Sequence, residues 1–183
     1  GDDFIENITF DELSLGQCAR LVRTLSQADI QAFAAVSGDT NPAHLDPVYA
    51  DATLFQGVIA HGMWGGALIS AVLGTQLPGP GTIYLEQALR FSRPVRVGDT
   101  LTVTVTVLSK DEAKKRVELD CLVSNQHGEK VLSGVARVLA PMTFCRRPSD
   151  FIACCPTATP SRSQSTTGFM FGREASSSSR SST

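Results

Sequence analysis

Apolar residues recur along this chain with two periods, and the change of period marks out its elements. Cys18–Leu25 reads as an extended first strand. From Ser26 the spacing becomes helical. Ile30, Phe33, Ala34 and Val36 share one side of a segment over 27–37, with Ser26 as N-cap, Asp29 placed to suit the helix dipole, and Gly38 as the stop. Asp46-Pro47 reads as the cap and first position of a second short helix near 47–54. Gly38 and Pro42 interrupt helical continuity on both sides of Asp39, so Ser37–Asp46 is expected to be an ordered loop. Met63–Leu77 is apolar around most of its circumference, which predicts a helix buried on nearly every side. Gly65, Gly66 and Gly74 each cost about 1 kcal/mol against alanine there, and close approach of another backbone is the expected compensation.

The period then drops to two. Ile83–Phe91 reads as a strand ended by Arg93-Pro94. Leu101, Val103, Val105 and Val107 alternate with threonines; Val117, Leu119, Cys121 and Val123 repeat the alternation, and Val131–Leu139 completes the set. Turns are expected at Gly98-Asp99, Lys110–Ala113 and Asn125–Glu129. One buried helix followed by an antiparallel meander is an α+β layout, with the sheet wrapped around the helix as in the hot-dog architecture.

Composition divides the chain near Pro141. Residues 1–140 carry 11 Lys/Arg and 16 Asp/Glu, a net of −5, whereas 141–183 carry 5 and 2, a net of +3. Sixteen of those last 43 residues are Ser or Thr, too little apolar surface to offset the entropy of ordering, so 1–140 is expected to be one domain and 141–183 a disordered tail. A domain at −5 without a basic cluster is a poor nucleic-acid surface. There is no run of 18 apolar residues to cross a membrane and no signal-like start. Cys18, Cys121, Cys145, Cys154 and Cys155 form no C-x-x-C, which reads as reduced thiols in a cytoplasmic protein rather than a disulfide frame or a zinc site.

Candidate chemistry concentrates in Ser37-Gly38-Asp39-Thr40-Asn41-Pro42-Ala43-His44-Leu45-Asp46. In a helix Asp39 and His44 would point about 140° apart, but a loop turned by Asn41-Pro42 can aim both at one point. A carboxylate and an imidazole sharing a water form an acid–base pair suited to neutral pH. By spacing alone, Asp39 also suits a turn cap and His44 an ordinary surface histidine. At Ala60-His61-Gly62-Met63 the apolar helix starts without a capping side chain, so its first N–H groups need an acceptor. Gly62 admits close approach of a ligand, and a carbonyl oxygen gaining charge would suit that dipole end; water is the plainer acceptor, and His61 reads as structural. Ser70, polar within the apolar helix, either bonds back to the Gly66 carbonyl or faces the active cavity. Arg90, Arg93 and Arg96 read as solvated strand-edge arginines. No metal site is expected from the spacing of His44, His61 and His127.

Ser37–Asp46, with its Asp-x-Asn-Pro-x-His pattern, and His61-Gly62-Met63 sixteen residues after Leu45 resemble the MaoC-type R-specific enoyl-CoA hydratases. The similarity covers roughly residues 8–140, including Gly79–Tyr84 and Arg93–Asp99. The resemblance implies a hot-dog homodimer or dimer of dimers, with Asp39 and His44 catalytic, Asn41 in the substrate site, Ser70 helping to hold the histidine, and the Gly62 amide on the thioester oxygen. It implies an acyl-CoA thioester as substrate, with no metal, nucleotide or flavin cofactor, and reversible addition of water to a trans-2-enoyl-CoA to give the (R)-3-hydroxyacyl-CoA. Some members of the family carry the domain in front of a phosphate acetyltransferase, but 141–183 does not read as one. A hot-dog thioesterase and a non-catalytic acyl-CoA-binding domain are the alternatives on the same fold.

Overall fold

The computed structural model describes residues 5–145. Five antiparallel strands form one sheet: β1 (Cys18–Thr24), β2 (Ile83–Phe91), β3 (Thr100–Asp111), β4 (Arg116–Ser124) and β5 (Lys130–Leu139), in the order β1-β3-β4-β5-β2. The three meander strands thus occupy the centre, flanked by the two that precede them in sequence. Alternation places Val103, Val105, Leu119, Cys121, Ala136 and Val138 on the inner face, all fully buried. Across that face lies α4 (Gly62–Thr75), whose Trp64, Ile69, Val72 and Leu73 complete one core. This is the hot-dog fold. Strand β3 runs on to Asp111, so its hairpin turn falls at 112–115, later than the Lys110–Ala113 expected.

The first helix, α1 (Gln27–Ser37), follows its sequence signals closely. Ser26 Oγ accepts from the Asp29 N–H at 3.1 Å, and the Asp29 carboxylate accepts from the Ser26 N–H at 2.9 Å, a complete capping box. Hydrogen bonds from Ser26, then from Arg23, hold the Asp29 carboxyl down to about 2. Gly38 closes the helix at φ 76°, a left-handed geometry that glycine adopts without a Cβ penalty. Two short helices follow, α2 (Pro42–Leu45) and α3 (Pro47–Asp51).

Three expectations require correction. Ser37–Asp46 is not all loop. Pro42 sits at the first position of α2, where its missing N–H costs nothing, and the Asn41 side chain caps the turn by accepting from the Ala43 N–H at 3.0 Å. Helix α4 is buried on one face only: Met63, Ala67, Ser70, Ala71, Gly74 and Thr75 form an exposed stripe at helical spacing. Its glycines do not admit another backbone. A Cβ at Gly65 would meet the end of Leu132, one at Gly66 the Met63 and Leu89 side chains, and one at Gly74 nothing within 4 Å.

The fold also continues past Pro141. The Pro141 carbonyl accepts from Phe10 N–H, and the Cys145 carbonyl from Asn7 N–H. Buried Asn7 ties three segments together: its amide donates to the Pro80 and Thr143 carbonyls, and its Oδ1 accepts from the Cys145 N–H at 2.8 Å. The boundary expected at 140 therefore falls no earlier than 145, because a single buried amide recruits residues whose composition looks tail-like. The rest of the expected tail, 146–183, lies outside the described residues.

Candidate active site

Helix α1 delivers Asp39 and helix α2 delivers His44. The Asp39 Oδ1 accepts from the Asn41 N–H at 3.2 Å, so the residue does cap a turn, yet it remains exposed. His44 is largely buried, at 9% exposure. Its Nδ1 lies 2.8 Å from the Ile59 carbonyl oxygen. A carbonyl only accepts, so Nδ1 carries the hydrogen and Nε2 keeps its lone pair for other work.

The strip 58–61 supplies the other side. It is pinned by Ile59 N–H to the Ala43 carbonyl and Ala60 N–H to the Val95 carbonyl, with Ile59 bridged to Arg96. This fixes His61, the N-cap residue of α4, against His44, their ring centroids 3.9 Å apart. Phe33 of α1 packs on His61 at 5.0 Å, and His61 Nε2 donates to the Asp39 backbone carbonyl at 2.9 Å. One carboxylate oxygen of Asp39 and one ring nitrogen from each histidine lie within 4.8 Å of one another. No metal was expected from the spacing of these histidines; the fold brings two imidazoles and a carboxylate together, with His44 Nδ1 and His61 Nε2 each already bonded to a backbone carbonyl.

Beside this cluster opens a cavity of about 330 Å³ lined by His44, His61 and Gly62 and, further round, by Phe55, Gly65, Phe91, Arg93, Val131 and Leu132. No side chain caps α4, so the helix start at Gly62 faces the cavity with donor capacity. A Cβ at Gly62 would sit 3.0 Å from the Phe91 ring, so glycine is what allows that ring to flank the helix start.

The structure therefore brings Asp39, His44 and Gly62 into one neighbourhood, keeps Asn41 at its border through the N–H bonded to Asp39 Oδ1, and sets Ser70 apart. Asn41 spends its side-chain oxygen on capping α2. Ser70 lies on the exposed stripe of α4 and does not line the cavity; within the chain it is the Ile59 carbonyl that holds His44. Of the arginines, Arg96 is structural, donating to the Phe55 carbonyl, whereas Arg93 lines the cavity and pairs with Glu129 at 3.1 Å. Cys121 offers no competing nucleophile, because burial pushes its thiol up to about 11. His61, expected to be structural, is placed in contact with both His44 and the Asp39 backbone. Its signal was a histidine standing where a helix normally takes Ser, Thr, Asp or Asn.

Comparison with known proteins matches residues 16–127 to the MaoC like domain. The chain belongs to the MaoC-like family. This MaoC-like chain is 49% identical over 142 residues to the (R)-specific enoyl-CoA hydratase of Rhodospirillum rubrum, covering 76% of this chain and 96% of that one. It is 45% identical over 129 residues to the (R)-specific enoyl-CoA hydratase of Aeromonas caviae, covering 70% and 96%. The unliganded R-hydratase PhaJ1 of Pseudomonas aeruginosa superposes with a TM-score of 0.75 at 50% identity, covering 78% of the MaoC-like chain and 92% of its own.

Proposed function

We propose that the protein is an R-specific enoyl-CoA hydratase, adding water reversibly to a trans-2-enoyl-CoA to give the (R)-3-hydroxyacyl-CoA. The observation that carries this reading is the convergence of the Asp39 carboxylate and a ring nitrogen of His44 beside the uncapped start of α4. The thioester oxygen sits at the Gly62 N–H, with the acyl group in the apolar cavity. As water attacks the β-carbon, charge moves onto that oxygen; one such donor is typically worth about 3 kcal/mol. His44 Nε2, left as a lone pair by the Ile59 contact, takes the proton from the water. A C–O bond forms at the β-carbon, and the pair passes a proton to the α-carbon from the same side, completing a syn addition. Asp39 is the group assigned to the α-carbon: the proton His44 takes from the water passes through Asp39 to that carbon, so the pair ends as it began and works as a unit. The thioester serves as the electron sink, so the scheme calls on no further cofactor. The free thiols of Cys18 and Cys121 support a cytoplasmic setting, and no helix among the described residues is long and apolar enough to cross a membrane.

The assay is direct. Crotonyl-CoA should lose its enoyl-thioester absorbance without release of free thiol, and chiral analysis should return the R product. Thiol release from an acyl-CoA would instead mark a thioesterase, and tight binding with neither product would mark a binding domain.

The protein should also be a homodimer or a dimer of dimers. Among the described residues strand β2 is an open edge exposing Ile83, Tyr84, Leu85 and Phe91, and the exposed stripe of α4 adds Met63, Ala67 and Ala71. Uncovered apolar edges of this kind are normally paired. Light scattering after size exclusion should give twice or four times the chain mass; a stable monomer at micromolar concentration would count against the assembly.

A further inference from the structure

His61 touches each part of the site without belonging to the acid–base pair. Its Nε2–H holds the Asp39 backbone carbonyl at 2.9 Å, its ring lies 3.9 Å from that of His44, and it immediately precedes the Gly62 amide. It is 3% exposed, and its Nδ1 is buried without a hydrogen-bond partner. Because Nε2 donates to a carbonyl, Nδ1 keeps a lone pair in a dry setting, an arrangement that lowers stability wherever it is not required. A side chain chosen only to fill this space would be apolar: Phe33 already packs on the His61 ring at 5.0 Å.

We propose that His61 is the positioning residue of this active site: its Nε2–H fixes the Asp39 backbone while its ring fixes the plane of His44, so both reacting groups are aimed by one imidazole. The inference rests on the hydratase reading above. His61 acts through its neighbours and moves no proton in the addition. Among the described residues the exposed turn at Asp39 is otherwise held by two local bonds, Asp39 N–H to Ser37 Oγ and Asn41 N–H to Asp39 Oδ1, each at 3.2 Å. Losing the His61 bond would free the carboxylate while leaving the acyl cavity in place, and displacements of about 1 Å at a reacting group cost on the order of 100-fold in rate.

The test separates donor from ring. His61→Phe keeps an aromatic ring between Phe33 and His44 but donates nothing; His61→Gln keeps an N–H able to reach the Asp39 carbonyl but loses the ring. With crotonyl-CoA, His61→Phe should lower kcat about 100-fold with KM changed less than about threefold. His61→Gln should recover about tenfold of that loss. A kcat for His61→Phe within about fivefold of wild type, a loss carried by KM, or no recovery in the glutamine variant would overturn the proposal. A further measurement needs no variant: long-range proton–nitrogen spectra of the intact wild type should show His61 as the Nε2–H tautomer and His44 as the Nδ1–H tautomer, and the opposite tautomer at His61 would overturn it equally. Absence of wild-type hydration would instead defeat the hydratase reading, and this inference with it.

Discussion

Alanine at Asp39 or at His44 should each lower kcat for crotonyl-CoA hydration by about 10³-fold, the middle of the range for removing a positioned acid or base. The two variants differ in what else they disturb, which makes them more informative together than singly. Asp39 is exposed, and among the described residues its one side-chain bond is from the neighbouring Asn41 N–H, which water can replace. Asp39→Ala should therefore leave the melting temperature and oligomeric state unchanged, so its loss of turnover would be purely chemical. His44 is buried against Ile59 and stacked on His61, so His44→Ala also leaves a carbonyl without its donor and a gap beside the cavity. A stability cost of about 1–3 kcal/mol should accompany its kinetic loss. The double variant should be hardly slower than the worse single one, as expected for groups that act on one water as a unit. Near-normal turnover in both single variants would end the acid–base assignment.

The fold and the nearness of Asp39 to His44 were both legible in the sequence, for a shared reason: each rests on local patterning. The capping box at Ser26–Asp29, the stop at Gly38 and the alternating strands from Leu101 to Leu139 are set by residues within a few positions of one another. The neighbourhood of Asp39 and His44 is likewise built by a short stretch, although Pro42 starts a helix there instead of preventing one. What escaped notice depends on partners distant in sequence. His61 meets His44 only because Ile59 and Ala60 are pinned to Ala43 and Val95. Asn7 draws 143–145 into the fold from the far end of the domain, and no composition window reports that. Ser70 illustrates a different loss of information. An apolar helix face looks the same in sequence whether its own sheet covers it or a second copy does, and here the chain's own sheet covers only half of the helix.

Gly134 is the extreme case of a distant partner, and alanine there should damage the protein more than any other one-carbon change described above. It lies on β5 between Leu89 of β2 and Cys121 of β4, within a run that reads as ordinary strand. A Cβ at this position would lie 1.8 Å from the Ala88 carbonyl oxygen, 2.8 Å from its carbon and 3.2 Å from the Leu89 Cα, all backbone atoms of β2. At Gly65, by contrast, the added carbon would meet only the end of Leu132 at 3.2 Å, and a leucine terminus can turn aside. A carbonyl held in a sheet cannot, so Gly134→Ala has to push β2 away from β5. Overpacking of this kind typically costs 1–3 kcal/mol and sometimes more; with rigid backbone on the other side, about 3 kcal/mol or above is expected. For a domain of this size that corresponds to a melting temperature lower by roughly 10 °C. The damage should reach the chemistry as well, because β2 ends in Phe91, whose ring flanks Gly62, and leads into Arg93–Val95 along the cavity wall. Thermal melts followed by circular dichroism, with turnover measured well below the transition, would separate the two effects. A variant melting within about 2 °C of wild type and hydrating crotonyl-CoA at the normal rate would mean that β2 is not pressed onto β5 at this point, and the site's far wall would need another support.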